Sequence, residues 1–175
     1  MVGGDGDGSM KKHQKLVRDK VVDRIRAKGD HCTFHIAEDA TERKDKLGFK
    51  ILEEIEEFGR NKNPEELIDV QEIVNCAEKF GQHARPSASA IAEWIGTQPP
   101  SETKDDVLTD AIFALVEAGT DYAAHPSDNA FRALVIAVEV VINITGFDRE
   151  TLEAMRLKKV ETHGGFDKWI ILDEA

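Results

Sequence analysis

Two short acidic runs carry the residues of this chain that could do chemistry. The first is Lys50-Ile-Leu-Glu-Glu-Ile-Glu-Glu-Phe58; the second is Asn63-Pro-Glu-Glu-Leu-Ile-Asp69. On a helical projection at about 100° per residue, Leu47, Ile51, Ile55 and Phe58 share one apolar arc. Glu54 abuts that arc and Glu57 lies on its flank, whereas Glu53 and Glu56 point away, as on an ordinary solvated face. On the second helix Glu66 falls inside the arc of Val70, Ile73 and Ala77, and Asp69 falls at its edge, between Phe80 and Cys76. A buried carboxylate without a partner is strongly unfavourable, and several converging ones repel each other and raise one another's pKa. A divalent cation removes both penalties. Carboxylates spaced i, i+3 on two facing helices suit Mg²⁺, which keeps open positions for water and phosphate oxygens. Asn63, Pro64 and Glu66 also read as an N-cap, N1 and N3 of a capping box. That accounts for Glu66 without a metal, but not for Asp69 or Glu54.

These residues need two antiparallel helices to bring them together. The first is expected over Ala40 to Gly59 and the second over Pro64 to Phe80, closed by Gly81. The connection Arg60 to Asn63 is short enough to make them neighbours. Gly48, inside the first, costs about 1 kcal/mol relative to Ala and would permit a close helix approach. Before them, Leu16 to Ala27 reads as a short helix with Val17, Val21 and Ile25 on one side and Arg18, Lys20, Arg24 and Arg26 on the other, stopped by Gly29. His31 to Ala37 alternates as a strand, with Cys32, Phe34 and Ile36 on one face. After them come helices over Ser87 to Ile95, Thr103 to Tyr122 and Asn129 to Ile144. A last helix is N-capped by Asp148 and runs to about Thr162, carrying Arg149, Arg156, Lys158 and Lys159. Phe166 to Leu172 reads as a closing strand, with Trp169 and Ile171 on one face, able to pair with Thr33 to Ala37. Residues 1–9 read as a flexible leader.

A faint echo links Leu47, Ile51, Ile55 and Glu56 to Leu108, Ile112, Val116 and Glu117. The second copy has Leu115 and Ala118 where the first has Glu54 and Glu57. Such a degenerate repeat would complete a four-helix bundle.

Composition fits this outline. The 175 residues are 41% hydrophobic and 33% charged, with 6% aromatics, which favours one mostly α domain with a real core. A net charge of −11 argues against nonspecific nucleic-acid binding. Cys32 and Cys76 form neither a disulfide framework nor a metal pattern, and a reducing cytoplasm is expected. Ala133 to Ile144 is apolar but short and carries Glu139 and Asn143, so it is expected to be core rather than a membrane span. The six histidines show no ligand spacing.

Four segments in order resemble a known family: Lys15-Leu-Val-Arg-Asp-Lys-Val21, Glu53-Glu-Ile-Glu-Glu57, Glu65-Glu-Leu-Ile-Asp-Val-Gln-Glu72 and Gly164-Gly-Phe-Asp-Lys168. Together they resemble the MazG-like all-α nucleoside triphosphate pyrophosphohydrolases, in the house-cleaning branch related to phosphoribosyl-ATP pyrophosphohydrolase. The resemblance spans roughly residues 10–80 and 148–172, leaving 82–146 as an insertion or degenerate second half. It implies a four-helix-bundle-like fold with a small β element from the N- and C-terminal strands. It implies Glu54, Glu57, Glu66 and Asp69 as ligands of Mg²⁺, with Mn²⁺ as a substitute, and Glu53 as a further ligand or the group that orients the attacking water. Glu72 also fits the family pattern. Substrate-contacting cations implied by analogy are Lys50, Arg18, Lys20 and Lys168. The final helix has Val160 where the family usually has a basic residue. The implied reaction is cleavage of a nucleoside triphosphate between its α and β phosphates. Phosphoribosyl-ATP hydrolysis is the rival within the enzyme class, and a non-catalytic helical binding module the rival outside it. A homodimer is expected unless the insertion supplies the missing bundle half within one chain.

Overall fold

The computed structural model describes residues 14–96 and 104–174. The leader at 1–9 and Pro99-Pro100 lie outside them. The elements are β1 (Lys15–Val17), α1 (Val21–Ala27), β2 (Thr33–Ile36), α2 (Ala40–Asn61), α3 (Pro64–Gly81), α4 (Ala88–Gly96), α5 (Lys104–Ala124), α6 (Asp128–Thr145), α7 (Arg149–His163) and β3 (Ile170–Glu174). The fold is mostly α with one small antiparallel sheet, as expected.

Local chemistry sets the limits of the two acidic helices. The Asp39 side chain caps α2 by accepting from the Glu42 amide, and Asn63 caps α3 by accepting from the Glu66 amide, with Pro64 in the first turn. Only Lys62 and Asn63 separate the helices, and Lys62 takes a left-handed conformation (φ 52°) to end α2. Gly81 is not the left-handed terminator the sequence suggested; it is the last helical residue and Gln82 turns the chain at φ 53°. Gly81 is needed for space instead, because a Cβ there would lie 2.0 Å from Nε2 of His83.

The insertion folds into α5 and α6, a second antiparallel pair. α5 packs along α2 and α6 against α3, so four helices close around one core within a single chain. Gly48 does permit a close approach: a Cβ there would sit 3.0 Å from Cβ of Ala123. Gly119 answers from α5, where a Cβ would meet Ile55 Cδ1 at 2.5 Å. The echo is not mirrored in burial. Leu115 and Ala118, at the places of Glu54 and Glu57, face the core, while Val116, at the place of Ile55, is 39% exposed. The apolar run in α6 is core, with Phe131, Leu134 and Val141 fully buried. No single helix among the described residues is long and apolar enough to cross a membrane.

The expected helix over Leu16 to Ala27 is corrected to a strand, a turn and a shorter helix. Leu16 and Val17 are both buried, but Leu16 joins the main core and Val17 a smaller cluster with Val22, Ile170 and Leu172. Sending consecutive side chains to opposite sides requires a period of two, which a strand supplies and a helix does not. β3 is the central strand, in the order β1-β3-β2, with Leu16 opposite Ile171 and Phe34 opposite Leu172. The pairing of β2 with β3 follows the expectation; the β1 edge was not foreseen. β3 begins only at Ile170, because Phe166–Trp169 forms a turn in which the Trp169 amide donates to the Phe166 carbonyl.

Candidate metal centre

Four charged side chains are buried among the described residues: Arg18, Glu54, Asp69 and Glu72. All belong to one site. α2 supplies Lys50, Glu53, Glu54 and Glu57; α3 supplies Glu66, Asp69 and Glu72. Arg18 comes from the turn after β1, and Arg156 and Lys159 come from α7.

Carboxylate oxygens of Glu54, Glu66 and Asp69 lie within 4.8 Å of one another, a spacing that one cation could bridge. Glu54 is 5% exposed. Its Oε1 accepts from Lys50 Nζ at 2.6 Å, but its Oε2 is buried with no hydrogen-bond partner. Burial pushes the Glu54 carboxyl above the usual glutamate range; the Asp69 and Glu57 charges add to this, and Lys50 opposes it. Burial also works against the Lys50 ammonium, but the charges and hydrogen bonds of Glu54 and Glu53 overcome it and hold Lys50 protonated. Half-buried Glu57 therefore acts on Glu54 through its charge, while standing outside the close set of three. Glu66 has its backbone amide capped by Asn63 and its Oε1 bonded to Asn61 Nδ2 at 2.8 Å. The N-cap half of the expected capping box is present, but the Glu66 carboxylate bonds Asn61 rather than returning to the Asn63 amide, and it lies within the close set of three.

Cations surround the acids. Arg18 donates from Nη2 to Asp69 at 2.6 Å and from Nη1 to the Gly164 carbonyl at 2.9 Å, and its guanidinium lies 5.2 Å from the centre of the Phe166 ring. Lys159 pairs with the other Asp69 oxygen, and Arg156 pairs with Glu72. Glu53 faces Lys50 at 3.0 Å and Lys15 at 3.4 Å. Burial would raise its pKa, but Lys50 and Lys15 bring it below the usual value.

The Gly164-Gly165 pair ties this arrangement together. The Gly165 carbonyl accepts from the Asp19 amide and the His163 carbonyl from the Lys20 amide. Gly164 has φ 83°, and a Cβ on it would lie 2.8 Å from Asp19 Cβ. The turn carrying Arg18 is thus docked onto the end of α7, which carries Lys159.

Of the residues singled out from the sequence, Glu54, Glu66, Asp69, Lys50 and Arg18 converge; Glu57 and Glu53 border the cluster. Lys20 and Lys168 do not converge: the Lys20 ammonium is exposed on the Glu161 carbonyl at 2.5 Å, and Lys168 is exposed, with its amide donating to Asp19. Arg156 and Lys159 were the residues missed. Val160 interrupts the expected basic run of α7, yet Arg156 and Lys159, spaced i, i+3, share one helix face and reach Glu72 and Asp69 on α3. A cavity of about 740 Å³ lies elsewhere; Gln14, His35, Glu42, Asp45 and Asp173 are among its lining residues. Its wall is mostly acidic, with Lys46 the one lysine among the lining residues, and so is unfavourable to anions.

No family model, no curated protein and no solved structure matches the chain.

Proposed function

We propose that this chain is a Mg²⁺-dependent nucleoside triphosphate pyrophosphohydrolase of the MazG-like kind, acting on noncanonical nucleotides. The observation that carries this reading is the partnerless, buried Oε2 of Glu54 beside Glu66 and Asp69. Burying a carboxylate oxygen with nothing to bond it is costly, and a divalent cation is the simplest ligand for it. Hard oxygen donors are what Mg²⁺ and Mn²⁺ take. Glu54, Glu66 and Asp69 would hold the ion, with Glu57 completing the set. A bound Mg²⁺ supplies charge stabilisation for the phosphates and acidifies a water.

The remaining roles fall to the chain's own side chains. Glu53, kept ionised by Lys50 and Lys15, accepts a hydrogen bond from the attacking water and orients it. The water oxygen forms a bond to the α phosphorus, and the proton it loses passes to solvent. The bridging P–O bond breaks, leaving a monophosphate and pyrophosphate. Arg18, Lys50, Arg156 and Lys159 exchange carboxylate oxygens for phosphate oxygens and offset the charge of the departing pyrophosphate. The closeness of Asp69 and Glu72 to these cations would hold them ready for that exchange.

A second reading has its own observation. Asp69 and Glu72 are paired with Arg18, Lys159 and Arg156, and such a network can be purely structural in a binding module. The two readings part on one assay: pyrophosphate release from a panel of canonical and modified nucleoside triphosphates, with phosphoribosyl-ATP included, with and without Mg²⁺. Turnover that requires Mg²⁺ and falls about 100-fold or more in Glu54→Gln and Asp69→Asn is expected, on the scale of losing transition-state charge stabilisation. No release from any substrate by the folded protein would leave the structural network as the reading.

A further inference from the structure

A cavity of about 280 Å³ lies between α2, α3 and the turn before β3. Phe166 links it to the metal centre: it lines the cavity and supports the Arg18 guanidinium that holds Asp69. Gly165 brings the same turn against Glu72, 3.2 Å from its Oε1 measured from a Cβ position.

Three features set this cavity apart from ordinary core. Trp169 has φ 53°, a conformation that is an outlier for a bulky residue. Its carbonyl is fixed there by the Ala37 amide at 2.9 Å. The Trp169 ring meets Phe80 edge-on at 5.2 Å and lies 5.6 Å from the Arg43 guanidinium. Arg43 Nε is buried and donates to nothing. At the rim Lys79 pairs with Asp167 at 3.1 Å, and both are exposed.

We propose that this cavity receives the heterocyclic base of the substrate nucleotide and prefers bases that carry a ring carbonyl. The proposal rests on the carboxylate cluster being the phosphate site. The volume lies just under the range of roughly 300–1,000 Å³ typical of clefts for whole drug-sized ligands, so it suits a ring system with the phosphates lying outside, over the acids. Trp169 and Phe80 offer aromatic surface for stacking, which is tolerant of base identity. Selection comes from the polar groups. Arg43 and Lys79 both donate, so they match carbonyl oxygens, as arginine matches the acceptor edge of guanine. Asp167 accepts, matching the ring N–H that oxo bases also carry. Adenine would set its exocyclic amine against the cations.

The test reads Trp169 directly. The chain has two tryptophans, so Trp94→Phe, a change on the half-exposed α4, leaves Trp169 as the sole reporter. GMP, UMP and AMP are titrated into this protein with Mg²⁺ present, and fluorescence gives each Kd. Quenching by GMP or UMP at least about tenfold tighter than by AMP is expected, since tenfold corresponds to one charge-assisted hydrogen bond. Arg43→Gln on this background should erase the difference; Arg43→Lys, which keeps the charge but not the Nε donor, should erase most of it. No quenching by any of the three, or equal affinity for all three, overturns the proposal. Pyrophosphate release from triphosphates with Trp169 silent would reject the base site while leaving the hydrolase reading intact. Base-selective quenching without turnover of any triphosphate would support the base site and reject the hydrolase reading.

Discussion

Glu54 and Asp69 sit in the same cluster but should respond oppositely to neutralisation. Burial raises the Glu54 pKa, so its charged form opposes folding: the penalty is absent below the unfolded-state pKa and grows as pH rises through the folded one. Glu54→Gln, unfolded in EDTA, is therefore expected to be more stable than wild type near about pH 8, with the gain shrinking as pH falls through the raised folded-state pKa and gone below the ordinary glutamate range. Lys50 keeps Glu53 as a partner in that variant. A loss of stability would mean that the Lys50–Glu54 pair outweighs burial. Mg²⁺ should raise the melting temperature of wild type and leave that of Glu54→Gln unchanged. Asp69→Ala, by contrast, strands the buried Arg18 guanidinium. Removing one partner of a buried pair costs about 3–5 kcal/mol, and urea denaturation should find a loss of that order. A change below about 1 kcal/mol would show Arg18 to be solvated on losing its partner.

His35 provides a separate titration. It bridges Glu42 at 2.8 Å and Asp173 at 3.1 Å, joining the central strand of the sheet to the first turn of α2. The Glu42 hydrogen bond, with help from Asp173, raises its pKa above 6.5 against a smaller effect of burial. A raised histidine pKa stabilises the fold fully below the unfolded value and loses that contribution as pH rises through the folded one. The stability difference between wild type and His35→Gln should therefore be largest near about pH 5.5 and should fade by about pH 8.5. Because the ring is partly exposed, the difference should stay below about 1 kcal/mol. A pH-independent difference would refute the ion pairs.

At the scale of elements, the α2–α5 contact makes an ordering prediction. Alanine is favoured over glycine inside a helix by about 1 kcal/mol, so both Gly48→Ala and Gly119→Ala begin with that gain. At Gly119 the new methyl would strike the terminal Cδ1 of Ile55, which can rotate away. At Gly48 it would press on Cβ and Cα of Ala123, at 3.0 and 3.2 Å, and backbone cannot yield without moving α5. Gly48→Ala should be the more destabilising, by a margin of about 1–3 kcal/mol on the scale of overpacking. Equal melting temperatures would show that the two helices slide freely.

At the scale of the whole molecule, α5 and α6 close the core that α2 and α3 open. The condition under which a dimer would be dispensable for folding is therefore met within one chain. The melting temperature is expected to be independent of protein concentration over about a hundredfold range, as it is not when folding is coupled to association. A melting temperature that climbs with concentration would mean that the core is shared between copies. Light scattering would then give the stoichiometry, which closure of the core does not determine.

Much of this arrangement was legible in the residues. Asp39, Asn63, Ser127 and Asp148 each cap a helix through a bond to an amide three residues on, and such bonds are local. The helical period likewise singled out Glu54 and Asp69 before any fold was known, because which face a side chain takes depends only on its neighbours in sequence. The tertiary structure decided what those carboxylates meet. Arg18 reaches Asp69 across 51 residues and Lys159 across 90, distances over which no period carries information. It also decided that Leu16 and Val17 form a strand: two adjacent apolar residues cannot reveal that they will be buried on opposite sides of a sheet whose central member lies at the far end of the chain.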